Sequence, residues 1–340
     1  MRYELSRGRM STLAFFPSAR RALACSVFVL AATPMLRAFD VPHASAETRA
    51  LRFLAREVAL WPAENRCYSC HNNGDAARAL YDAHRRSPEL NPSNDALAGT
   101  TRWLRHPETW DKNGGEGPFS DKLLARIVFA STQVAARDVG LLPERAPLER
   151  AAERLAHDQA DAGFWPIEEG PGSLGSPAGY GRPLATLSAR DVLRAVDPQR
   201  YRLEIARAET WLRARPVVST IDVTISLRLN ADRPDLAARG RVLDRLRASQ
   251  SPDGGFGPFA DAPTEPFDTA LVILALSRLK TTEEIRTIVK RARDYLIAEQ
   301  NREGSWRETT RPAGAESYAQ RLSTTGWAAL ALLASSELAK

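Results

Sequence analysis

Methionine and strand-like patterning are both scarce in this sequence. Its 340 residues contain three methionines, Met1, Met10 and Met35, so no methionine is available as a metal ligand beyond residue 35. Alternation of apolar and polar residues is almost absent, which argues against a β-sheet protein. No apolar run reaches the roughly 18 residues that a transmembrane helix needs. These absences favour a helical chain without a membrane-spanning segment.

Cysteine is also rare, and its three copies are Cys25, Cys67 and Cys70. So few cysteines cannot build the disulfide scaffold of a small secreted domain. A zinc site made of two cysteine pairs is excluded, because the chain has no second closely spaced pair. What Cys67 and Cys70 do therefore depends on their context.

The N-terminus has the layout of a secretory signal peptide. Five arginines lie within the first 21 residues, an apolar run extends from Leu23 to Leu36, and Ala44-Ser45-Ala46 offers a small-residue cleavage site. We predict Sec-type export, most simply to the periplasm, with residues 1–46 as signal peptide and 47–340 as one domain. A retained N-terminal anchor and a chain that is not exported are the alternatives.

The basic character of the chain is partly a property of this leader. The whole sequence has a formal net charge of +6 and a pI near 9.5. The predicted leader holds six basic and two acidic residues, which leaves the remainder at about +2. We therefore predict no nucleic-acid partner.

The remainder of the chain is repetitive. A residue pair ending in leucine recurs at steps of 34 to 57 residues, near the end of charged segments with helical periodicity: Phe53-Leu54, Trp103-Leu104, Arg154-Leu155, Trp211-Leu212, Arg245-Leu246 and Tyr295-Leu296. More apolar helical segments follow them: Ala76–Ala83, Lys122–Ala130, Leu271–Leu279 and Gly326–Ala334. The pattern predicts an all-α fold of six helix pairs, closed into an (α/α)6 toroid with apolar helices inside. An open solenoid, which needs polar caps at both ends, is the alternative.

Three of the connecting loops share the pattern Gln-x-x-x-Gly-x-aromatic: Gln159–Trp165, Gln250–Phe256 and Gln300–Trp306. A second match relates Asn113–Phe119 to Asp253–Phe259. These loops resemble the QW motifs of the squalene–hopene cyclase and prenyltransferase-type toroids, and the likeness covers roughly residues 48–338 at the level of repeats. The resemblance implies that the glutamine amide ties helix ends together and that the aromatic ring packs on it, as scaffolding.

The catalytic residues of those families do not carry over. Class II terpene cyclases use an Asp-x-Asp-Asp motif, which this sequence lacks. Protein prenyltransferases bind zinc through residues of their C-terminal half, whereas both cysteines beyond the leader lie in the first repeat. We therefore predict neither activity, and whether the chain is an enzyme stays open.

Residues Cys67-Tyr68-Ser69-Cys70-His71 form the attachment motif of c-type haem. In this motif each cysteine adds to a haem vinyl group and the histidine binds the iron. Attachment takes place outside the cytoplasm, which agrees with the predicted leader. We predict one covalent haem c held by Cys67, Cys70 and His71. A Cys67–Cys70 disulfide or redox dithiol, another metal site and a chance match are the alternatives.

The second axial ligand of that haem is a separate question. His106 follows the second outer helix, one repeat from the motif, and we predict it as the distal ligand, with His157 as the next candidate. His84 is excluded, because a continuous helix of 13 residues would place it about 20 Å from His71. An open or water-bound position is the alternative. Four aromatic residues near the motif are predicted to wall the haem: Trp61, Tyr68, Trp103 and Trp110.

Acidic or hydroxyl residues stand where the inner helices are predicted to start: Asp75, Asp121, Asp222, Asp268 and Thr325. Capping of the free backbone amides accounts for residues of this kind. Asp222 and Asp268 have apolar flanks that would raise a carboxyl pKa, so they are the candidate catalytic acids.

Two functions follow from the sequence. The first is an exported haem c protein that transfers electrons to an unknown redox partner or senses a ligand. The second is a toroid whose central cavity binds or processes a small apolar molecule or glycan, with the Cys/His segment as a structural part.

Overall fold

Twelve α-helices follow one another in a computed structural model of the chain, which describes residues 44–86, 95–112, 121–167, 181–231, 236–309 and 316–338. They are α1 Ala46–Asn65, α2 Ala77–Arg86, α3 Asp95–Leu104, α4 Lys122–Asp138, α5 Arg145–Asp158, α6 Gly181–Val196, α7 Arg202–Arg213, α8 Thr220–Ala231, α9 Leu236–Ser249, α10 Pro266–Leu276, α11 Glu283–Ala298 and α12 Tyr318–Ala334. A π-helical turn, Cys70–Ala76, precedes α2, and a 3₁₀ helix spans Pro107–Lys112. The described residues contain no β-strand. The predicted signal peptide, up to residue 43, and the Asn113–Phe119 loop lie outside the described residues.

The even-numbered helices form a closed inner ring. Each contacts the next, from α2 through α4, α6, α8 and α10 to α12, and α12 returns to α2 and to the π-helical turn. The fold is therefore the predicted (α/α)6 toroid and not an open solenoid. No described helix is both long and apolar enough to cross a membrane.

The odd-numbered helices pack around this ring. Each of the six residue pairs of the repeat lies in one of them, and the six leucines are almost completely buried: Leu54, Leu104, Leu155, Leu212, Leu246 and Leu296. Burying a leucine side chain contributes about 1.5–3 kcal/mol. The recurring pair thus marks where each outer helix contacts the inner ring.

The three QW-like loops fasten neighbouring repeats in one common way. The amide of Gln159 donates to the carbonyl of Gly163 in its own loop, at 3.0 Å, and to that of Glu204 on the next outer helix, at 2.9 Å. Gln250 does the same with Gly254 and Ile288. Gln300 uses Gly304 and Ala46, both within 3.0 Å, so the third loop ties the last repeat to the first.

The aromatic residue of each loop is held from two sides. Trp165 and Trp306 are buried. The indole N–H of each donates at 2.7 Å to the backbone carbonyl of the leucine in the preceding residue pair, Leu155 for Trp165 and Leu296 for Trp306. The backbone N–H of all three aromatic residues donates to a threonine of the next inner helix: Trp165 to Thr186, Phe256 to Thr269 and Trp306 to Thr325.

This last contact corrects the role predicted for Thr325. Thr325 is not the cap of an inner helix, because α12 begins two turns earlier, at Tyr318, with Ser317 as its N-cap. The polar residues of its first two turns hid the start of this helix, whose later part is apolar as expected. Asp121 is confirmed as a cap, since it accepts the N–H of Leu124 at 2.9 Å.

Candidate functional site

The segment Cys67–Asp75 takes the place of a QW loop in the first repeat. Arg66 has a left-handed backbone, with φ of 54°, which ends α1 and turns the chain inward. Ser69 then caps the π-helical turn by accepting the N–H of Asn72 at 3.1 Å. Because each such connection joins the end of an outer helix to the start of an inner one, this segment lies on the same face as the QW loops. Turns of the π type are frequent at functional sites.

Two buried asparagines anchor this turn. The Asn72 side chain donates to the carbonyl of Glu57 at 3.0 Å and to the hydroxyl of Tyr318 at 2.9 Å. Asn73 donates to Val58 and Thr100, at 3.2 and 2.8 Å. The turn is therefore fixed to α1, α3 and α12 at once, and its neighbours cannot shift independently of it.

His71 is buried among aromatic rings. Its ring centroid lies 4.9 Å from that of Trp61 and 5.7 Å from that of Tyr318, both edge to face. Neither ring nitrogen has a hydrogen-bond partner. Burial lowers the pKa of the imidazole to about 3, so His71 is neutral at physiological pH. A neutral imidazole is the form that binds a metal.

Both cysteines of the motif are free thiols and are partly buried. Burial raises the pKa of the Cys70 thiol to about 12, and the charges of Asp75 and Asp121 add to this effect. A thiol held protonated in this way is a poor nucleophile. No cluster of three or more His, Cys, Asp or Glu residues suited to a metal ion occurs among the described residues.

The donor set fits a c-type haem. Two free thiols stand beside a neutral imidazole whose nitrogens lack partners, and aromatic rings cover the imidazole. The structure brings Trp61 to His71, as predicted, but places the other three aromatic residues in a separate group. Tyr68 stacks on Trp103 with centroids 4.8 Å apart, and Trp110 packs against Phe129. Because Trp61 and Tyr318 cover the His71 ring, one of them must move before iron can reach a nitrogen.

The structure does not bring the predicted distal histidine to this ring. The Nδ1 atom of His106 lies 3.2 Å from a carboxylate oxygen of Glu108, and both side chains are more than half exposed. His71 instead faces α1 and α12, through Trp61 and Tyr318. His84 lies in the last turn of α2, at the end remote from the motif, as expected, and His157 is exposed at the end of α5.

The two candidate acids have different surroundings. Asp222 accepts hydrogen bonds from the backbone and hydroxyl of Ser219, at 3.0 and 2.7 Å, and Ser219 accepts the N–H of Asp222. This reciprocal capping box explains Asp222 without catalysis. Asp268 is fully buried in the first turn of α10. Asp75, predicted as a cap, accepts from Ser323 of α12 at 2.7 Å.

A buried charge network on the inner helices was not predicted. Arg190 donates to Asp191 at 2.8 Å and to Glu209 at 2.5 Å, and Arg228 of α8 also binds Asp191. The sequence signal was the charged pair Arg190-Asp191 in the middle of α6, beside the buried apolar residues Ala189 and Val192. Charged residues at such positions are rarely buried unless they are paired.

Comparisons with known proteins agree with this fold. Residues 219–340 match the model of the squalene-hopene cyclase C-terminal domain family. No curated protein sequence matches the chain. Similar solved structures include the type II terpene cyclase MstE from Scytonema, with a TM-score of 0.53 and 13% identity over 86% of this chain and 99% of that one.

Two similar structures belong to carbohydrate-active enzymes. The unsaturated glucuronyl hydrolase of Bacillus sp. GL1 has a TM-score of 0.57 and 14% identity, over 85% of this chain and 96% of that one. The GH76A α-1,6-mannanase of Salegentibacter sp. HEL1_6 has a TM-score of 0.54 and 11% identity, over 86% and 99%. At such identities the likeness establishes the α/α toroid and not an activity.

Proposed function

We propose that this chain carries one covalent haem c on the loop face of an exported α/α toroid. Cys67 and Cys70 would form the two thioether bonds, and His71 would bind the iron. Such a haem supplies one-electron transfer or the binding of a small ligand at iron. The toroid would then serve an electron-transfer or sensing role outside the cytoplasm.

The observation that carries this proposal is the state of His71. An imidazole that is buried without a hydrogen bond costs about 1–3 kcal/mol per unsatisfied group. Both nitrogens of His71 are in this state, directly after two free thiols in the spacing that haem attachment needs. Binding of iron would satisfy one of them, whereas a purely structural residue at this position would be better apolar.

The rest of the segment has a positioning role in this proposal. The hydrogen bonds of Asn72 and Asn73 hold the turn that carries His71, and the rings of Trp61 and Tyr318 keep water from it. The sixth position would stay open or bind water unless His106 leaves Glu108. A distal His106 therefore remains a prediction, which the spectrum of His106→Ala would test against His84→Ala as control.

The test is to express the full chain, with its leader, together with haem-attachment machinery. We expect a red protein, a haem-staining band on denaturing gels and the mass of one haem added to the chain. Cys67→Ala and Cys70→Ala should each weaken or abolish this band, while Cys25→Ala, in the predicted leader, should leave it unchanged. A colourless wild-type protein that has been exported and processed would refute the proposal.

A second candidate function is the binding or processing of a small molecule in the centre of the toroid. The comparisons favour it over the haem function, because the similar structures include enzymes that act on terpenoid and carbohydrate substrates. The ion-paired charges of Arg190, Asp191 and Arg228 on the inner helices also support it. The absence of an Asp-x-Asp-Asp motif argues against class II terpene cyclisation in this centre.

A further inference from the structure

Charged residues of the inner helices keep part of their side-chain surface accessible. Asp191 and Arg228 lie deep within the protein, yet 26% and 17% of their side-chain surfaces stay accessible. A side chain that is both deep and accessible borders an internal space large enough for water. Arg78 of α2, with 15% of its side chain accessible, lies close enough to Arg228 to lower its pKa.

Arg78 has hydrogen-bond donors that the protein does not use. Its guanidinium lies 4.2 Å from the ring centroid of Trp327, in a cation–π contact. Its Nη2 atom is 3.4 Å from Asp75, but neither Nη2 nor Nε makes a hydrogen bond. The other oxygen of Asp75 already accepts from Ser323. Two buried nitrogen atoms of a charged group are thus without a hydrogen bond, and the Asp75 carboxylate beside one of them is shared with Ser323.

Positive charge is in excess around Arg228. Burial lowers its pKa, Asp191 raises it and Arg278, Arg78 and Arg190 lower it, and together these effects give a pKa of about 10. Arg190 is also paired with Glu209, whereas Arg228 shares its carboxylate partner, Asp191, with Arg190. An additional negative group at this place would relieve the repulsion among the guanidinium groups.

We propose that the centre of the toroid binds the anionic group of a small molecule, a carboxylate or a phosphate, through Arg78 and Arg228. Arginine suits this role because its planar fork matches both groups with paired hydrogen bonds. The inference rests on the second candidate function, since it names the class of molecule that the cavity would take. It does not depend on haem attachment.

The experiment measures binding to the full exported chain by titration calorimetry. The probes are inorganic phosphate and two matched pairs, glucuronate with glucose and octanoate with 1-octanol. The pairs separate a sugar acid from a fatty acid as the source of the anionic group. Arg78→Met keeps the apolar stem over Trp327 and removes the unused donors, Arg228→Met removes the second guanidinium, and Arg247→Met on the exposed face of α9 is the matched control.

We expect at least one anionic probe to bind at least tenfold more tightly than its neutral partner. Arg78→Met should weaken that binding at least tenfold, Arg228→Met should weaken it as well, and Arg247→Met should leave it unchanged. The inference would be overturned if the neutral probes bound as tightly as the anionic ones, or if Arg78→Met and Arg228→Met bound the anionic probes as tightly as wild type. Either result would still leave a small-molecule cavity in place. Failure of every probe to bind would overturn the inference and count against the second candidate function too.

Discussion

The neutral, buried state of His71 makes a quantitative prediction for the pH dependence of stability. The pKa of this imidazole is about 3 in the folded protein, against an ordinary value of 6.5. Between these values the unfolded chain binds a proton that the folded chain does not. Unfolding therefore becomes easier as the pH falls through this window, and the full contribution is present above pH 6.5.

The size of this effect follows from the shift. Each pH unit within the window is worth about 1.4 kcal/mol, so lowering the pH from 7 to 4 should cost about 3 kcal/mol from this residue alone. Acidic groups that are paired in the fold, such as Asp111 and Glu209, also stabilise the protein less as the pH falls and they become protonated. The contribution of His71 must therefore be measured as a difference between two proteins that share these groups.

The suitable pair is Cys67→Ser/Cys70→Ser, which cannot hold covalent haem, with and without His71→Phe. A phenyl ring fits among Trp61 and Tyr318 and removes two unsatisfied polar atoms, so at pH 7 the two proteins should differ by no more than about 1–2 kcal/mol. Urea unfolding followed by tryptophan fluorescence should show the gap opening in favour of His71→Phe below pH 6. Parallel curves down to pH 4 would show that His71 is not a buried neutral imidazole.

Three further predictions concern the loops of the scaffold and the N-terminus of the exported chain. Trp306→Ala should lower the free energy of unfolding by about 3–5 kcal/mol, because its ring is fully buried, and an unchanged thermal melt would contradict this. Gln300→Ala should lower the free energy of unfolding by about 1–3 kcal/mol in the same melts, because it leaves the carbonyls of Gly304 and Ala46 without their donor. A loss of stability within experimental error would refute this role. The cleavage predicted after residue 46 would remove Ser45, which caps α1, and Ala44, whose carbonyl accepts from Arg49 at 2.6 Å. We therefore revise that boundary and expect N-terminal sequencing of exported protein to place cleavage before Ala44; a mature chain beginning at residue 47 would contradict the revision.

The repeat pattern made the fold predictable, because the features that build the toroid are local. A leucine pair marks each outer helix, and a loop of seven residues contains both the glutamine and the aromatic ring that it needs. The glycine of that loop is equally local. Gly304 has a φ of 103°, and an added Cβ would collide with the carbonyl of Arg49, so only glycine suits the position.

The partners of the candidate site were not predictable in the same way. One of the two rings that cover His71 is Tyr318, from the last helix, and it becomes a neighbour only when the toroid closes. The prediction of six helix pairs implies an inner helix in the third repeat, but it does not tell which residue of that helix meets α8. The Asp191–Arg228 pair depends on that meeting. The apolar flanks of Asp222 suggested an isolated carboxyl group, but its capping partner, Ser219, lies just before that apolar stretch.

The candidate haem segment and the closure of the toroid depend on the same seam. Helix α12 packs on the π-helical turn, and Gly326 lies so close to it that an added Cβ would stand 2.8 Å from the carbonyl oxygen of Asp75. Gly326→Ala must therefore push α12 away from the turn that carries His71. We expect this variant to lose stability and, in cells with haem-attachment machinery, to lose haem staining together.

Trp165→Ala is the matched control, since it removes a fully buried ring in the third repeat, away from this seam. It should destabilise the fold and leave haem staining per folded molecule unchanged. Haem staining at the wild-type level in a Gly326→Ala protein of wild-type stability would mean that α12 does not constrain the turn. Loss of staining to the same degree in both variants would mean that attachment follows overall stability and not the geometry of this seam.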